Sequence, residues 1–476
     1  MALLDTTGMA AKSVTAHAVN WLRPFASLAA PDAASALQPL PIKRIAVQAT
    51  GIWLVTRIAF MLITMLARAF GLVHAPTALS IFSGNPNYAP LVLPLLAGHP
   101  LLASWVHYDA SWYLLIATHG YDTFTTDSTG FFPMYPLQIH LLTLLFGQQS
   151  ALPIAMALSN LAALAAFIGL GLLAAHEGSG VAAGAASGVA SSTEHAATTS
   201  ARLIRVVAAY PFAFFLVAPY TEGFFLVAPY TEGFFLACVV FSFLCARRGW
   251  WRWAAVCAIL AGLTRPTAFA LVPALAWEYG RQHGVWQRAS WRRGAWRSLR
   301  WLRSLSGGVA VAAAAPAGLG CYLLYLQLLY GNPLTPFTAQ MRYHGHRNWP
   351  VWQTLGELVH RFFNPPPLTP PVALLYLDGG LLILFLIITL LNARRLPLFY
   401  TFYMLATIYL LLSTPIPHRP ELIPSAGRYL LMAIPIFLLV SRWIRQRPSL
   451  EILIIVVGFM LQTLFTMLFI SGAWVE

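Results

Sequence analysis

Residues 105 to 136 combine carboxylates, aromatic rings and histidines in an otherwise apolar sequence. Three of the 15 acidic residues of the chain lie here, among them Asp109 and Asp122, together with His107 and Tyr121. A carboxylate can take a proton from an attacking hydroxyl group. We therefore predict that the stretch is a catalytic loop, although the spacing of its carboxylates alone is more typical of solvated loop residues.

The composition is that of a chain that crosses a membrane several times. Of the 476 residues, 58% are hydrophobic and 9% are charged, and the mean hydropathy is +0.68. Soluble domains carry roughly 25% charged residues, so this chain cannot bury its apolar surface in one water-soluble core. The net charge of +14 comes from short basic blocks between apolar runs, as in cytosolic loops. We predict contacts with membrane lipids and no nucleic-acid partner.

Metal and cofactor chemistry is not indicated. The four cysteines lie in or beside apolar segments without metal-ligand spacing, which favours a packing role. The sequence has no pair of aspartates of the DxD type that could hold a metal. We predict that the protein needs neither a metal nor a cofactor.

The chain divides into an arm and a membrane domain. Residues 1 to 44 are predicted to be a flexible cytosolic arm, and residues 45 to 476 the transmembrane domain, with a first span at 45 to 72. That span contains Arg57. An arginine inside a membrane helix costs about 2.5–3.5 kcal/mol on insertion scales, so Arg57 either faces protein or water, or extends along the helix to the membrane surface.

The distribution of basic residues orients the loop that follows. No Lys or Arg occurs from Ala69 to Ala201, whereas Lys43 and Arg44 precede the first span. The positive-inside rule therefore assigns the loop at 73 to 130 to the outer side. Because this loop is long and apolar, we expect short helices on the membrane surface within it.

The next segments leave the number of crossings open. Residues 131 to 147 and 150 to 175 are apolar, and residues 176 to 200 are predicted to be a flexible linker rich in Gly, Ala, Ser and Thr. Arg202 and Arg205 then indicate an inner position. Two complete crossings from the outer loop would instead end outside, unless one segment is re-entrant or lies along the surface.

A perfect duplication of ten residues follows. The sequence FFLVAPYTEG at 214 to 223 is repeated at 224 to 233. This period is too short for a solenoid, which favours a recent slippage event over a designed repeat. The duplication leaves open whether Glu222 or Glu232 occupies the original position.

Polar sequences interrupt the apolar segments in this region. They are the Tyr-Thr-Glu of the duplication and the Thr-Arg-Pro at 264 to 266, and arginines stand at both ends of each segment. This predicts two helical hairpins or broken helices that enter from the inner side. Broken helices are tolerated only where they line protein or a water-filled cavity, and polar groups there are site candidates. Arg265 is therefore a candidate, as are the glutamates of the duplication, although a helix-capping role fits those glutamates equally well.

The remaining chain alternates regularly. Residues 281 to 303 hold seven arginines and a tryptophan at every fifth position from 286 to 301, which predicts a basic inner segment at the membrane interface. Apolar runs then alternate with polar loops to residue 470. We predict an all-α membrane helix bundle of about 10 to 12 membrane segments.

The predicted outer face collects carboxylates and arginines. It includes Asp109, Arg419, Arg428 and Tyr429. An arginine can bind a phosphate through two parallel hydrogen bonds. The arrangement is typical of a site for a phosphate-bearing lipid and a hydroxyl-bearing acceptor, although Arg428 would also serve as a topological anchor.

Five motifs resemble a known family when they are taken in chain order. YDASWYLLIATHGY and FFPMYP are similar to the W-D-A-x-x-Y-x-x-I-A-x-x-G-Y and F-F-P-x-Y-P signature of the GPI mannosyltransferase II family of GT-C glycosyltransferases. APYTEGFF, LAGLTRPTAFALVPAL, GNPLTPFTAQ and SAGRYLLMAIPIF resemble its later motifs, over about residues 45 to 445. The chain departs from the pattern at Tyr108, where the family usually has Trp, and in its duplication.

The resemblance implies a GT-C bundle with its active site at the outer face. It implies a polyprenyl-phosphate sugar donor, most simply of mannose, and an inverting transfer to a hydroxyl group of a glycan, lipid or protein. Asp109 matches the acidic residue that acts as base in the first outer loop of such enzymes. Arg428, with Arg265 or Arg419, would hold the phosphate, and His107 would orient the acceptor.

The remaining predicted substrate-binding residues are Tyr121, Asp122, Glu222, Glu232 and Tyr429. The predicted location is the plasma membrane, or the endoplasmic reticulum membrane if the host is eukaryotic. The alternative function is a transporter or flippase for a lipid-linked glycan, which would use a similar bundle with intramembrane arginines. Transporters often contain a two-fold internal repeat, whereas this sequence shows only the ten-residue duplication.

Overall fold

A computed structural model describes residues 41–73, 77, 81–82, 86–121, 126–182, 189–216, 230–286, 299–343, 345–364, 367, 369–394 and 396–472. All regular structure in these residues is helical, and they contain no strand. The predicted cytosolic arm falls outside them except for its last four residues, three of which are already helical.

The helices of the first part of the chain are α1 (Ile42–Ala69), α2 (Ala89–Ala97), α3 (Pro100–Ala103), α4 (Asp109–His119), α5 (Met134–Phe146), α6 (Ala151–Ala182), α7 (Val189–Ala208), α8 (Glu232–Arg247), α9 (Trp251–Thr264) and α10 (Leu271–Gln282). Short 3-10 turns stand between several of them, at Pro86–Tyr88, Asp127–Gly130, Gln148–Ser150, Pro211–Leu216 and Pro266–Ala270. The predicted outer loop at 73 to 130 thus contains short helices, as expected.

The helices of the second part are α11 (Leu299–Ala312), α12 (Ala314–Tyr330), α13 (Thr335–Tyr343), α14 (Val351–Phe363), α15 (Pro370–Leu374), α16 (Gly380–Asn392), α17 (Leu398–Ser413), α18 (Ala426–Leu430), α19 (Ile434–Trp443) and α20 (Pro448–Ile470). A π-helical turn, Leu375–Gly379, joins α15 to α16, and a 3-10 turn, Ile444–Gln446, follows α19. Most of the predicted basic inner segment, residues 287 to 298, lies outside the described residues.

The chain is a helical membrane protein. Four helices of the described part are long and apolar enough to cross a membrane: Ile42–Ala69, Gln148–Gly178, Val372–Asn392 and Pro448–Ile470. A fifth crossing is formed if Trp301–Ala312 and Ala314–Tyr330, which bend by 51°, act as one span. This count is lower than the 10 to 12 segments predicted, because other apolar helices such as α5 and α9 have only 13 and 14 residues, and a span needs about 20.

Helix α1 has one face buried against the bundle and an opposite face that is exposed. Ala49, Trp53, Phe60 and Thr64 recur at helical spacing and are buried against the bundle, whereas the opposite face is apolar and exposed. Arg57 lies on the buried face, where its Nε donates to Asn160 Oδ1 at 2.9 Å. Of the two predicted positions for Arg57, the structure therefore has the one that faces protein.

Helices α9 and α10 form one of the two predicted broken segments and α8 ends the other, whose residues 217 to 229 lie outside the described part. The break between α9 and α10 falls at Arg265, whose backbone is extended, and Arg265 contacts Glu232 at the start of α8. At the opposite end of α8, Arg247 pairs with Glu278 of α10. Because α8 has 16 residues and so is about 24 Å long, these contacts define two ends of the bundle, which we call the Glu232 end and the Arg247 end.

The number of membrane crossings between residues 131 and 205 depends on where α5 and α6 end. In α6, Ser159 donates to the Tyr230 carbonyl at the Glu232 end, and Glu177 pairs with Arg247 at the other end. Helix α5 stays at the Glu232 end: it is short, its His140 ring contacts the carbonyl of Ala117 in α4, and α6 begins shortly after it. Of these two helices, only α6 is long and apolar enough to cross a membrane, which fits the alternative in which one of the two segments is re-entrant or lies along the surface.

Residues 176 to 182 and 189 to 200 are helical, so the prediction of a flexible linker is wrong for these residues. Helix α6 continues to Ala182 and α7 begins at Val189, leaving 183 to 188 outside the described residues. Small residues permit this arrangement because they let the two helices approach closely. Ser200 of α7, for example, donates to the Gly171 carbonyl of α6 at 2.7 Å.

Candidate active site

Asp109 is the first residue of α4, and the preceding residue has an unusual backbone. Tyr108 adopts a left-handed conformation, with φ of 52°, which is uncommon for a bulky residue and marks local strain. Its hydroxyl donates to the Gly472 carbonyl, just beyond α20, at 2.8 Å. The last span of the chain thus holds the turn from which α4, and with it Asp109, begins.

The Asp109 carboxylate forms an ion pair with an arginine from the far end of the sequence. Nη2 of Arg428 lies 2.7 Å from Asp109 Oδ2, and Nε of the same guanidinium donates to Glu232 Oε1. The guanidinium also stands over the rings of Phe215 and Tyr230, at 5.0 and 5.1 Å from their centroids. Arg428 is therefore held on several sides in a geometry that joins two carboxylates.

Glu232 binds a second arginine. Nη2 of Arg265 donates to Glu232 Oε1, and its Nε donates to the Thr231 hydroxyl at 2.8 Å. The Arg265 guanidinium lies 5.5 Å from the centroid of the Tyr429 ring. The extended backbone at Arg265, in the break between α9 and α10, brings its side chain to the start of α8.

Asp109, Arg428, Glu232 and Arg265 thus form a continuous series of charges, which we call the ion chain. Two carboxylates and two guanidiniums make it formally neutral, and neutralising partners offset the high cost of burying each charge. Exposure differs along it: the side chain of Asp109 is 23% exposed, whereas those of Glu232 and Arg428 are 0% and 4% exposed. The ion chain therefore presents one accessible carboxylate, held by buried partners.

The structure brings together some of the predicted site residues, whereas others lie outside the described residues. Asp109, Glu232, Arg265, Arg428 and Tyr429 meet at the Glu232 end, as described above. Glu232 belongs to the second copy of the duplication, so that copy supplies the glutamate of the ion chain. Asp122 and Glu222 lie outside the described residues.

The structure places the side chains of His107 and Tyr121 against aromatic rings and backbone groups. The ring of His107 is buried against Phe469, with centroids 5.5 Å apart, while its carbonyl accepts a hydrogen bond from Tyr230. The hydroxyl of Tyr121 donates to the Phe131 carbonyl at 2.8 Å, and burial raises the pKa of this hydroxyl well above its ordinary value. Both side chains are built into apolar surroundings, which favours supporting roles for them.

Sequence reasoning missed several polar residues of this region. Thr231 binds Arg265, and the hydroxyl of Tyr113 lies 3.5 Å from that of Thr231. Asp378 is completely buried and accepts a hydrogen bond from the Gly427 amide at 2.8 Å. A signal for Asp378 was present, since it is an isolated acidic residue within an apolar run that is long enough to cross a membrane.

A second buried charge cluster lies at the Arg247 end. Arg247 binds Glu177 at 2.7 Å and Glu278 at 3.0 Å, and all three side chains are at most 2% exposed. The hydroxyl of Tyr400 donates to Glu177 at 2.9 Å. This cluster joins α6, α8, α10 and α17, and it lacks an exposed carboxylate of the kind that Asp109 provides.

The described residues contain no group of three or more His, Cys, Asp or Glu side chains that could hold a metal ion. The absence of a metal requirement remains a prediction. No protein-family model, curated protein or solved structure matches this chain. Proposals about its function therefore depend on the geometry of the site and on the motifs in the sequence.

Proposed function

We propose that this protein is an integral-membrane glycosyltransferase. It moves a mannosyl unit from a polyprenyl-phosphate donor to a hydroxyl group of a glycan, lipid or protein, with inversion at the anomeric carbon. The ion chain carries the proposal, because it combines one accessible carboxylate with two arginines. A transfer of this kind needs a base for the acceptor and cations for the phosphate.

Asp109 acts as the base in the proposed reaction. The acceptor hydroxyl attacks the anomeric carbon of the donor and gives its proton to Asp109, while the bond from that carbon to the phosphate oxygen breaks. The electron pair of this bond leaves with the polyprenyl phosphate. The exposure of Asp109 supports this role, since a base must reach the proton that it takes.

The two arginines stabilise the phosphate that leaves. Nη1 of Arg265 forms no hydrogen bond with the described residues, since the two bonds of this side chain come from Nε and Nη2. This nitrogen remains available to a phosphate oxygen, and the cation–π contact with Tyr429 orients the group. Because the ion chain is neutral, the donor phosphate must compete with Asp109 for Arg428, and that competition would free the carboxylate for proton transfer.

The bundle belongs, in this proposal, to the GT-C type with 10 to 12 membrane segments, several of them built from the shorter helices. The Glu232 end faces the outer side, because the basic residues Arg202, Arg281 and Arg445 flank helices at the Arg247 end. The protein would then act in the plasma membrane, or at the lumenal face of the endoplasmic reticulum in a eukaryotic host.

Transfer of radiolabelled mannose from polyprenyl-phosphate mannose in membranes tests this function. We expect Asp109→Asn to lower the rate about 10²–10⁴-fold, since general-base catalysis contributes on that order. Asp127→Asn is the matched control, because Asp127 lies in the same loop and has no described contact with the ion chain. Its rate should equal that of the wild type.

The outcomes separate this function from its alternative. Equal transfer by Asp109→Asn and the wild type would remove Asp109 from the role of base. If neither protein transfers mannose, but proteoliposomes translocate a fluorescent lipid-linked glycan, the protein is a transporter. Wild-type transfer that Asp109→Asn abolishes and Asp127→Asn preserves would support the proposed mechanism.

A further inference from the structure

The backbone of Gly427, next to Arg428, is held by two hydrogen bonds with side chains outside its own helix. The Gly427 amide donates to Asp378 Oδ1 at 2.8 Å, and its carbonyl accepts from the Tyr210 hydroxyl, also at 2.8 Å. A Cβ atom at this glycine would lie 2.2 Å from the ring of Phe212. Two segments distant in sequence, one at 210 to 212 and one at Asp378, therefore enclose one residue, the neighbour of Arg428.

Several features of Asp378 favour a functional role over a purely stabilising one. It is completely buried, it stands in a π-helical turn, and its Oδ2 has no hydrogen-bond partner among the described residues. A carboxylate in an apolar span is costly, and π-turns occur frequently at functional sites. Neither feature is needed to continue a membrane helix.

The contacts of Asp378 explain how the turn before Arg428 keeps its shape. Ser425 has a left-handed backbone, with φ of 64°, and α18 starts directly after it. The Gly427 amide belongs to the first turn of α18 and so lacks a partner within that helix. Asp378 supplies that partner from the span at Val372–Asn392.

We infer that Asp378 is a positioning residue for Arg428. Together with Tyr210, it fixes the turn at 425 to 427 so that the Arg428 guanidinium reaches Asp109 and Glu232 at the same time. Asp378 does not touch the substrate and takes no proton in the reaction. The kinetic consequence of this inference depends on the proposed function, whereas its structural consequence does not.

Modification of Arg428 by phenylglyoxal, mapped by mass spectrometry of the full-length protein in detergent, tests the structural part. A guanidinium held in two ion pairs reacts slowly, so we expect Asp378→Ala to label Arg428 several-fold faster than the wild type. Asp378→Asn keeps an oxygen that can accept from Gly427 and should restore slow labelling. The control is Thr389→Val, which alters a buried hydroxyl of the same span whose bond stays within α16.

Donor kinetics test the positioning role. A displaced Arg428 should weaken phosphate binding, so we expect Asp378→Ala to raise the KM for polyprenyl-phosphate mannose about tenfold with a smaller change in kcat. A purely structural defect would lower the active fraction, and hence kcat, at unchanged KM. If Asp378→Ala does not fold, Tyr210→Phe removes the other hydrogen bond to Gly427 and should change both measurements in the same direction.

Unchanged labelling of Arg428 in folded Asp378→Ala, or in Tyr210→Phe if that variant replaces it, would overturn the inference, whatever the transfer assay gives. A fall in kcat at unchanged KM would also overturn it. Faster labelling in the variant, together with a wild type that transfers no mannose, would instead count against the proposed function and leave the structural assignment of Asp378 intact.

Discussion

Arg428 joins one accessible and one inaccessible carboxylate through a single guanidinium. Its contact with Glu232 is fully buried, whereas its contact with Asp109 reaches the surface. A buried ion pair adds little net stability compared with apolar residues, but loss of one partner leaves an uncompensated charge. The buried half of the ion chain therefore serves to hold Arg428, and the exposed half is where a substrate could compete.

Replacement of Glu232 by glutamine should destabilise the protein strongly. The change leaves two buried guanidiniums beside a neutral amide, and breaking such a pair costs about 3–5 kcal/mol. We expect a lower Tm in detergent, measured by thermal unfolding. The control is Glu357→Gln, whose partner Arg361 is on the same helix and whose side chain is 34% exposed, so that its loss should cost at most about 1 kcal/mol. Equal shifts in Tm for the two variants would contradict the assignment of a buried ion chain.

Replacement of Gly427 by alanine should also destabilise the protein. The added Cβ would collide with Phe212, and overpacking of this kind typically costs about 1–3 kcal/mol. Gly320→Ala is a suitable comparison, because no atom lies within 4 Å of its added Cβ and alanine favours the helix. Thermal unfolding should show a lower Tm for Gly427→Ala and an equal or higher Tm for Gly320→Ala.

At the scale of elements, the short helix α5 determines how the chain passes through the membrane. Its 13 residues are too few for a crossing, and its neighbours at both ends belong to the Glu232 end. Apolar composition alone could not distinguish such a helix from a span, since both bury apolar surface. The distinction depends on length and on the contact with α4.

Cysteine labelling tests this topology. In a protein without its four native cysteines, we expect Gln148→Cys to react with a membrane-impermeant maleimide from the same side as Gly98→Cys. Gln446→Cys, at the Arg247 end, should react only from the opposite side. All three positions are exposed in the structure. Labelling of Gln148→Cys and Gln446→Cys from one side would mean that α5 crosses.

At the scale of the whole molecule, the two copies of the duplicated FFLVAPYTEG sequence together supply the buried start and the buried end of one motif. Phe214, Phe215 and Leu216 of the first copy are buried in the bundle, and Tyr230, Thr231 and Glu232 of the second copy are buried beside them. The rings of Phe215 and Tyr230 lie 5.3 Å apart. The ends of one motif thus come from different copies, with residues 217 to 229 outside the described part between them.

Deletion of residues 217 to 226 should therefore be tolerated. It leaves a single FFLVAPYTEG sequence, in which three residues join Leu216 to the following tyrosine and can span up to about 14 Å. We expect a Tm close to that of the wild type and unchanged slow labelling of Arg428 by phenylglyoxal. A large fall in Tm would show that the additional ten residues are part of the fold. Deletion of residues 340 to 349, which include Gln340 and its contact with Gly130, is a control of equal length that should not be tolerated.

Two buried charge clusters mark the opposite ends of α8, one around Glu232 and one around Arg247. The acidic residue is at the N-terminus of the helix and the basic residue at its C-terminus, which is the favourable arrangement for the helix dipole. Both clusters connect several helices that are too short to cross a membrane alone. Buried ion pairs thus hold these helices together at the Glu232 end and at the Arg247 end. Apolar packing within lipid would provide little specificity for such contacts.

The sequence alone determined that the protein is a helical membrane protein, and it predicted residues for a site. Its apolar content required membrane helices, its basic blocks predicted an orientation, and the Thr-Arg-Pro break and the outer-loop motifs predicted Asp109, Arg265, Arg428 and Tyr429 as candidate site residues. These properties could be read because composition and local breaks act over a few residues. The same reasoning was wrong for residues 176 to 182 and 189 to 200 of the predicted linker, where packing between α6 and α7 favours helix over the flexible coil that small residues suggest.

The tertiary structure alone decided which of these residues meet. Asp109 and Arg428 are separated by 319 positions, so no local pattern could show that they form an ion pair. The choice of Glu232 depended on the contact between α8 and the break at Arg265, and the inferred role of Asp378 depends on its contact with the turn at 425 to 427. Such assignments require the packing of distant helices, because a charge in a membrane interior is tolerated only where a partner stands beside it.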